Sequence, residues 1–160
     1  MKILVKDIID EDFVNYKKPS MFIAFPTCTF KCEKECGVRC CQNSALAQQK
    51  NIEIELDDIV RRYTDNDITS AIVIAGLEPF DSYDCLIDLV WKFRYLIPDD
   101  IVIYTGYNKC EIVEKVEELS STFKNIIIKF GRFVPNQEKH FDEVLGVYLA
   151  SDNQYAERVS

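Results

Sequence analysis

The sequence predicts an α/β fold built around a parallel sheet, in one domain spanning residues 1–160. Three observations predict it. Five short runs are apolar nearly throughout and rich in Ile and Val, as strands buried on both faces are. Stripes of apolar residues at helical spacing lie between them. Polar or glycine-bearing loops follow each run, which in a parallel sheet places them all on one rim.

The first run, Met21–Phe25, leads into Pro26 and a cysteine-rich loop over residues 26–43. Leu56, Ile59, Val60 and Tyr63 then form a helical stripe. Ala71–Ala75 is the second strand and runs into Gly76-Leu77-Glu78-Pro79. Leu86, Leu89, Val90 and Phe93 share one helical face. Ile101–Tyr104 leads into Thr105-Gly106-Tyr107, and Ile112, Val113, Val116 and Leu119 form the next stripe. Asn125–Phe130 precedes Gly131-Arg132-Phe133, and Val144–Ala150 precedes Ser151-Asp152-Asn153-Gln154. Strands alternating with helices imply right-handed βαβ crossovers.

Composition narrows the function. A chain of 160 residues with 48% apolar content can bury a real core. Nineteen basic against 27 acidic side chains give a net charge of −8, which repels phosphate backbones and argues against nucleic-acid binding as a main function. The opening MKILVKDIIDEDF lacks the apolar core of a signal peptide. No apolar stretch is long enough to cross a bilayer. The expected location is the cytoplasm, where thiols stay reduced and a disulfide framework is the wrong reading. Seven cysteines, an odd number, agree with that.

Five of them, Cys28, Cys32, Cys36, Cys40 and Cys41, fall within fourteen residues. Such density points to metal or sulfur chemistry. Two pairs, Cys28/Cys32 and Cys36/Cys40, have spacings that suit a four-thiolate zinc knot, since the one histidine, His140, is remote in sequence. The alternative is an iron–sulfur cluster held by thiolates, with three protein ligands leaving one iron open to a small molecule. A zinc knot leaves the glycine-bearing rim unexplained; an open cluster accounts for both. Cys85 and Cys110 lie on or beside expected helices, where a small buried hydrophobe is the expected role.

The order of these motifs resembles the radical S-adenosylmethionine enzymes. Their pattern is Cys-x3-Cys-x2-Cys followed by Gly-Gly-Glu-Pro; this chain has Cys28-x3-Cys32, and then Gly76-Leu77-Glu78-Pro79 after the second strand. More narrowly, it resembles the small activating proteins of anaerobic ribonucleoside-triphosphate reductases. Cys41-Gln42-Asn43 is similar to their Cys-Tyr-Asn, and Ile103–Tyr107, Lys129–Phe133 and Ser151–Gln154 are similar to their later motifs. The resemblance runs from about Glu11 to Gln154. Two departures stand out. Eight residues separate Cys32 from Cys41, six more than the pattern, and Leu77 replaces the second glycine.

The resemblance implies a small, partial parallel β/α barrel and an enzyme with two cofactors. Cys28, Cys32 and Cys41 would hold a 4Fe–4S cluster, with Cys40 and Cys36 as alternatives to Cys41. S-adenosylmethionine would be cleaved reductively to a 5′-deoxyadenosyl radical. Gly76, Leu77, Glu78 and Pro79 would lie by its methionyl amine, and backbone around Cys40 and Gln42 by its adenine. Thr105, Lys129 and Asn153 are candidates for contacts to ribose or carboxylate, with ordinary strand-end polarity as the alternative. The implied partners are a glycyl-radical enzyme, the anaerobic ribonucleotide reductase, and a one-electron donor such as flavodoxin or ferredoxin. Phe80, Tyr107, Phe133 and Tyr155 are candidates for the docking face, with core packing as the alternative account of most of them. A radical enzyme with another substrate, and a zinc-binding module without catalysis, are the competing readings.

Overall fold

The computed structural model describes residues 1–29, 34, 37 and 43–160. Along the chain run β1 (Lys2–Val5), β2 (Asp7–Asp12), β3 (Ser20–Phe25), α1 (Ser44–Ala47), β4 (Ile52–Glu55), α2 (Leu56–Thr64), β5 (Ala71–Gly76), α3 (Tyr83–Leu96), β6 (Asp100–Tyr104), α4 (Val113–Thr122), β7 (Ile126–Phe130), β8 (His140–Asp142), β9 (Val147–Leu149) and β10 (Tyr155–Arg158). Short 3₁₀ turns, Pro79–Ser82 and Lys109–Glu111, precede α3 and α4.

Four of the five apolar runs become neighbouring parallel strands: β3 pairs with β5, β5 with β6 and β6 with β7. The six-stranded sheet has the order β10-β7-β6-β5-β3-β2, with β2 and β10 antiparallel at its edges. The fold is thus α/β, with a mixed, mostly parallel sheet alternating with helices. The outer strand β2 reads DIIDED, and its acidic side chains blunt an edge that would otherwise template further pairing.

The alternation of side chains along the strands separates two faces. Ile23 and Phe25, Ile72 and Ile74, Ile101 and Ile103, and Ile126, Ile128 and Phe130 pack with Ile59, Leu86, Val90, Phe93, Val116 and Leu119 of the helices. The other face carries Ala71, Val73, Ala75, Val102 and Ile127, covered by Tyr16, Leu145 and Leu149. Large side chains toward the helices and small ones on the opposite face fill the first layer and leave room in the second. Asp57 and Asp58 begin α2 and Arg61 and Arg62 end it, matching the helix dipole. Helix α3 stops ahead of Ile97-Pro98, because a residue before proline is pushed out of helical geometry.

The fifth run departs from the expected central strand. Val144 and Leu145 lie in a turn closed by Gly146 at φ 72° and by a bond from its N–H to the Asp142 carbonyl at 2.8 Å. Only Val147–Leu149 is extended, pairing antiparallel with β8 in a separate hairpin. An apolar run buried on one side of a hairpin has the same composition as a central strand; the glycine inside it is what divides the two cases. Val113 also leaves its expected stripe: it is exposed, while Ile112, Val116 and Leu119 are buried. Among the described residues, no helix is long and apolar enough to cross a membrane.

At the end of the sheet remote from the cysteine loop, one buried carboxylate organises three elements. Asp100 accepts hydrogen bonds from Tyr16 Oη (2.9 Å), Lys18 Nζ (2.7 Å) and Arg158 (3.0 Å). Burial pushes the carboxyl upward, and the bonds from Lys18, Tyr16 and Arg158 outweigh it, leaving its pKa below the usual value. Both cations are half-exposed, so water partly compensates their loss. Asp100→Ala is expected to cost about 2 kcal/mol, read as a lower urea midpoint at pH 7, with the wild-type advantage vanishing as pH falls through the depressed carboxyl pKa.

Candidate functional site

The loops after β3, β5, β6 and β7 meet, as parallel pairing requires, around a cavity of about 310 Å³. Its wall includes Cys28 after β3, Gly76, Leu77 and Glu78 at and after β5, Thr105 and Gly106 after β6, and Lys129 and Gly131 at the end of β7. Asn43, the hairpin residues Val147–Ala150, Gln154, and Val14 and Asn15 complete it. The base is the small-residue face of the sheet, with Ala75 beside Phe22 and Tyr104.

Gly76 makes the junction possible. It sits at φ 94°, and a Cβ there would lie 2.5 Å from the Phe25 nitrogen and 2.7 Å from the Ala24 Cα. Only glycine tolerates both the conformation and the approach. The N–H of Leu77 then donates to the Phe25 carbonyl at 3.2 Å and that of Glu78 to the Thr27 carbonyl at 2.7 Å. These bonds commit the N–H groups of Leu77 and Glu78, so what the turn can offer a ligand is carbonyl oxygen, although those of Gly76 and Glu78 each already accept one bond, from Asn43 Nδ2 and the Asp81 N–H.

Both neighbours of Cys28 are tied to the 3₁₀ turn that follows the Gly76–Glu78 segment. Thr27 Oγ1 and Ser82 Oγ share a hydrogen bond of 2.7 Å, and the Thr29 N–H donates to Asp81 Oδ2 at 3.0 Å. Asp81 Oδ1 accepts from Tyr107 Oη at 2.5 Å, joining the loop after β6 to the clamp. Burial and the Asp81 bond push the Tyr107 phenol up to about 12. Beyond the cysteine loop, Asn43 Nδ2 donates to the Gly76 carbonyl at 2.7 Å. The segment from Gly76 to Ser82 thus holds the chain on both sides of the cysteine loop.

Glu78 is buried beneath this surface. Oε1 accepts from the Phe80 N–H (3.1 Å) and Thr105 Oγ1 (2.8 Å), and Oε2 from the Gly106 N–H (2.8 Å). Burial raises its pKa to about 7, against the pull of those three donors. Pro79 opens the following 3₁₀ turn, where its missing N–H costs nothing. The Thr105 hydroxyl is spent on Glu78 and also accepts from the Tyr107 N–H at 3.0 Å, so it links two loops rather than reaching into the cavity.

Lys129, also buried, donates to the Gly131 carbonyl at 3.0 Å and lies 5.8 Å from the centre of the Tyr104 ring. Among the described residues it is the cation of the cavity wall. Gln154 folds the last loop: its Oε1 accepts from the N–H groups of Ala150 and Ser151, and its Nε2 donates to the Gly131 carbonyl at 3.3 Å.

Of the residues singled out in the sequence, Cys28, Gly76, Leu77, Glu78, Thr105, Lys129 and Phe133 lie on one cavity, whereas Pro79 is buried in the 3₁₀ turn, off its wall. Cys32, Cys36, Cys40, Cys41 and Gln42 lie outside the described residues. Asn153 is exposed and donates to the Arg132 carbonyl at 2.8 Å; its neighbour Gln154 lines the cavity instead. Phe80 is a core residue, 1% exposed, because the 3₁₀ turn directs it inward to stack on Tyr83. Tyr148, on the cavity wall, is exposed and has Phe141 as its edge-on neighbour; Tyr107 and Phe133 are half-buried and Tyr155 is exposed. Cys85 packs half-buried against the helix layer, whereas Cys110 is exposed, since the 3₁₀ turn that carries it buries none of its residues. Sequence reasoning misses Asp81 and Asn43 as positioning groups. The place of Asn43 after Cys41-Gln42 is a signal that could have found it; Asp81 carries none apart from its position just past Pro79.

The donor set fits a thiolate-bound metal group. The Cys28 sulfur, a soft donor, stands at the cavity wall, four more cysteines follow within thirteen residues of it, and small residues leave space beside it.

Two outcomes follow from this geometry. Gly76→Ala is expected to cost about 3 kcal/mol or more in denaturant unfolding, through strain and the backbone clash. Glu78 binds its proton more tightly in the folded chain than in the unfolded one. Its contribution to stability is therefore full below a pH of about 4.5 and is lost as pH rises through about 7. Urea midpoints of the metal-free protein between pH 5 and 8 should show that decline, and Glu78→Gln should remove it.

Comparison with curated proteins and with solved structures gave no match. Comparison with family models gave one whose span, residues 20–154, begins at the first residue of β3 and ends at Gln154 of the cavity wall. It therefore takes in every strand end that builds the site together with the whole cysteine loop. That family is described as the 4Fe-4S single cluster domain, and the chain belongs to it.

Proposed function

We propose that this protein is a radical S-adenosylmethionine enzyme of the activase type, which generates a glycyl radical on a partner anaerobic ribonucleotide reductase. The observation that carries the reading is the meeting of Cys28 with the Gly76–Glu78 turn on one cavity at the C-terminal rim of a parallel sheet. Membership of a single-cluster 4Fe–4S family supports it and weighs against the zinc module. An open sheet order, ending in unjoined β2 and β10, is compatible with a partial β/α barrel.

In this reading Cys28, Cys32 and Cys41 hold the cluster. When bound, it supplies the electron that cleaves the sulfonium of S-adenosylmethionine into methionine and a 5′-deoxyadenosyl radical. The chain's own groups bind and orient. The turn from Gly76 to Glu78, with its N–H groups committed, presents acceptors suited to the methionyl ammonium. Lys129 supplies a buried positive charge suited to the carboxylate. Glu78 and Thr105 hold the loops after β5 and β6 at fixed separation, so they position without touching substrate. Gln154 shapes the wall at Gly131, where the sequence motif pointed to Asn153. A cavity of about 310 Å³ is at the small end of ligand pockets. A flavodoxin or ferredoxin would supply the electron.

The test begins with anaerobic purification and reconstitution with iron and sulfide. The expected protein is brown, gives a cluster EPR signal on reduction, and forms 5′-deoxyadenosine from S-adenosylmethionine. Cys28→Ala should abolish both cluster and product, while Cys36→Ala should keep them. A colourless protein holding one zinc would overturn the reading. Mixing with an anaerobic ribonucleotide reductase should then give a glycyl-radical EPR signal; formation of 5′-deoxyadenosine without that signal would retain the enzyme class and remove the partner.

A further inference from the structure

We propose that Lys6 is a positioning residue for the cluster, locking the exit of the cysteine loop to the strand that launches its entry. The proposal rests on the reading of that loop as the cluster holder. Lys6 lies between β1 and β2 and is only 7% exposed. Its backbone N–H donates to the Ala24 carbonyl at 2.7 Å, in β3 and four residues ahead of Cys28. Its Nζ donates to the carbonyls of Ala47, at 3.3 Å, and Gln49. One residue therefore bonds the chain both before and after the cysteine loop.

A buried ammonium is costly unless its donors are satisfied, and lysine is seldom buried at all. Among the described residues, the side-chain partners of Lys6 are carbonyls at the end of α1, not carboxylates. Those carbonyls have no intrahelical donor, because a four-residue helix ends before it can supply one. Helix α1 buries none of its residues and has no side-chain cap of its own. It thus lacks the apolar anchor that holds the longer helices to the sheet. What fixes it is polar: Lys6 at its end, Asn43 bonded to the Gly76 carbonyl at its start, and the pairing of β4 with β1 beyond it. Groups that orient metal ligands from behind tune retention of the metal without touching it, and Lys6 is placed to do that.

The experiment compares wild type, Lys6→Met and Lys6→Arg. Each is loaded anaerobically, and iron release to an excess of chelator is followed by absorbance. Amide hydrogen exchange at residues 44–49 is measured on the metal-free chains. Lys6→Met keeps the length and removes the donors. It should melt within a few degrees of wild type, exchange faster at 44–49, and release iron at least about tenfold faster. Lys6→Arg, which keeps charge and donors, should restore most of the retention. A folded Lys6→Met chain with wild-type exchange and wild-type iron release would overturn the proposal. Should Lys6→Met not fold, Lys6→Gln replaces it, with the same measurements and the same expected and overturning results. If wild type takes up no iron, the cluster reading fails, and faster exchange at 44–49 in the metal-free variant would still establish the clamp.

Discussion

Everything at this site depends on the contact between two backbones at Gly76. Strands β3 and β5 run side by side in register from Ser20 and Ala71 to Phe25 and Gly76. At the last pair, the absence of a side chain lets the chain turn directly over the neighbouring strand end. Were the two ends held apart by a methyl group, the bonds from Leu77 and Glu78 to Phe25 and Thr27 would be lost together. Cys28 would then have no fixed relation to the turn that faces it. The clamp from Asp81 and Ser82 builds on the same turn, as does the bond from Asn43.

The sheet serves that contact by an unequal division of side-chain size. Isoleucines on one face bury against three helices. Alanine and valine on the other leave a volume whose floor is apolar and whose wall, at the strand ends, is polar. Polar groups there are satisfied mainly by one another: Glu78 by three donors, Gln154 by backbone on both sides of its amide. A wall so committed is pre-organised, with little left to rearrange when a ligand enters.

Much of this was legible in the sequence because the signals were local. The four parallel strands declared themselves by composition, and the loops after them by glycine and charge. The helical stripes of α2 and α3 held at every position. What failed was context. VLGVYLA has a strand's composition, but Gly146 turns the chain within it, and no periodicity distinguishes a hairpin arm from a central strand over three residues. The edge strands β1, β2, β4 and β10 are short or charged, and a partner strand rather than an apolar pattern defines them. The side-chain roles of Asp81, Asn43 and Lys6 are contacts across 26 to 52 positions of sequence, which no local pattern encodes. Asn153 and Gln154 differ only in which side chain turns inward, a choice made by the fold of the loop about Gly131.

Tethering on both sides also bears on the length of the cysteine loop. For a segment pinned at its two ends, the entropy of closure grows only as the logarithm of the number of residues between the pins. Six residues added to a loop of about eight raise that cost by about 0.5 kcal/mol. The pins at Thr29 and Asn43, not the spacing between cysteines, then bear the mechanical duty of the motif. A chain of this design can lengthen or shorten its cysteine-rich loop over evolutionary time while the rim that receives it stays unchanged.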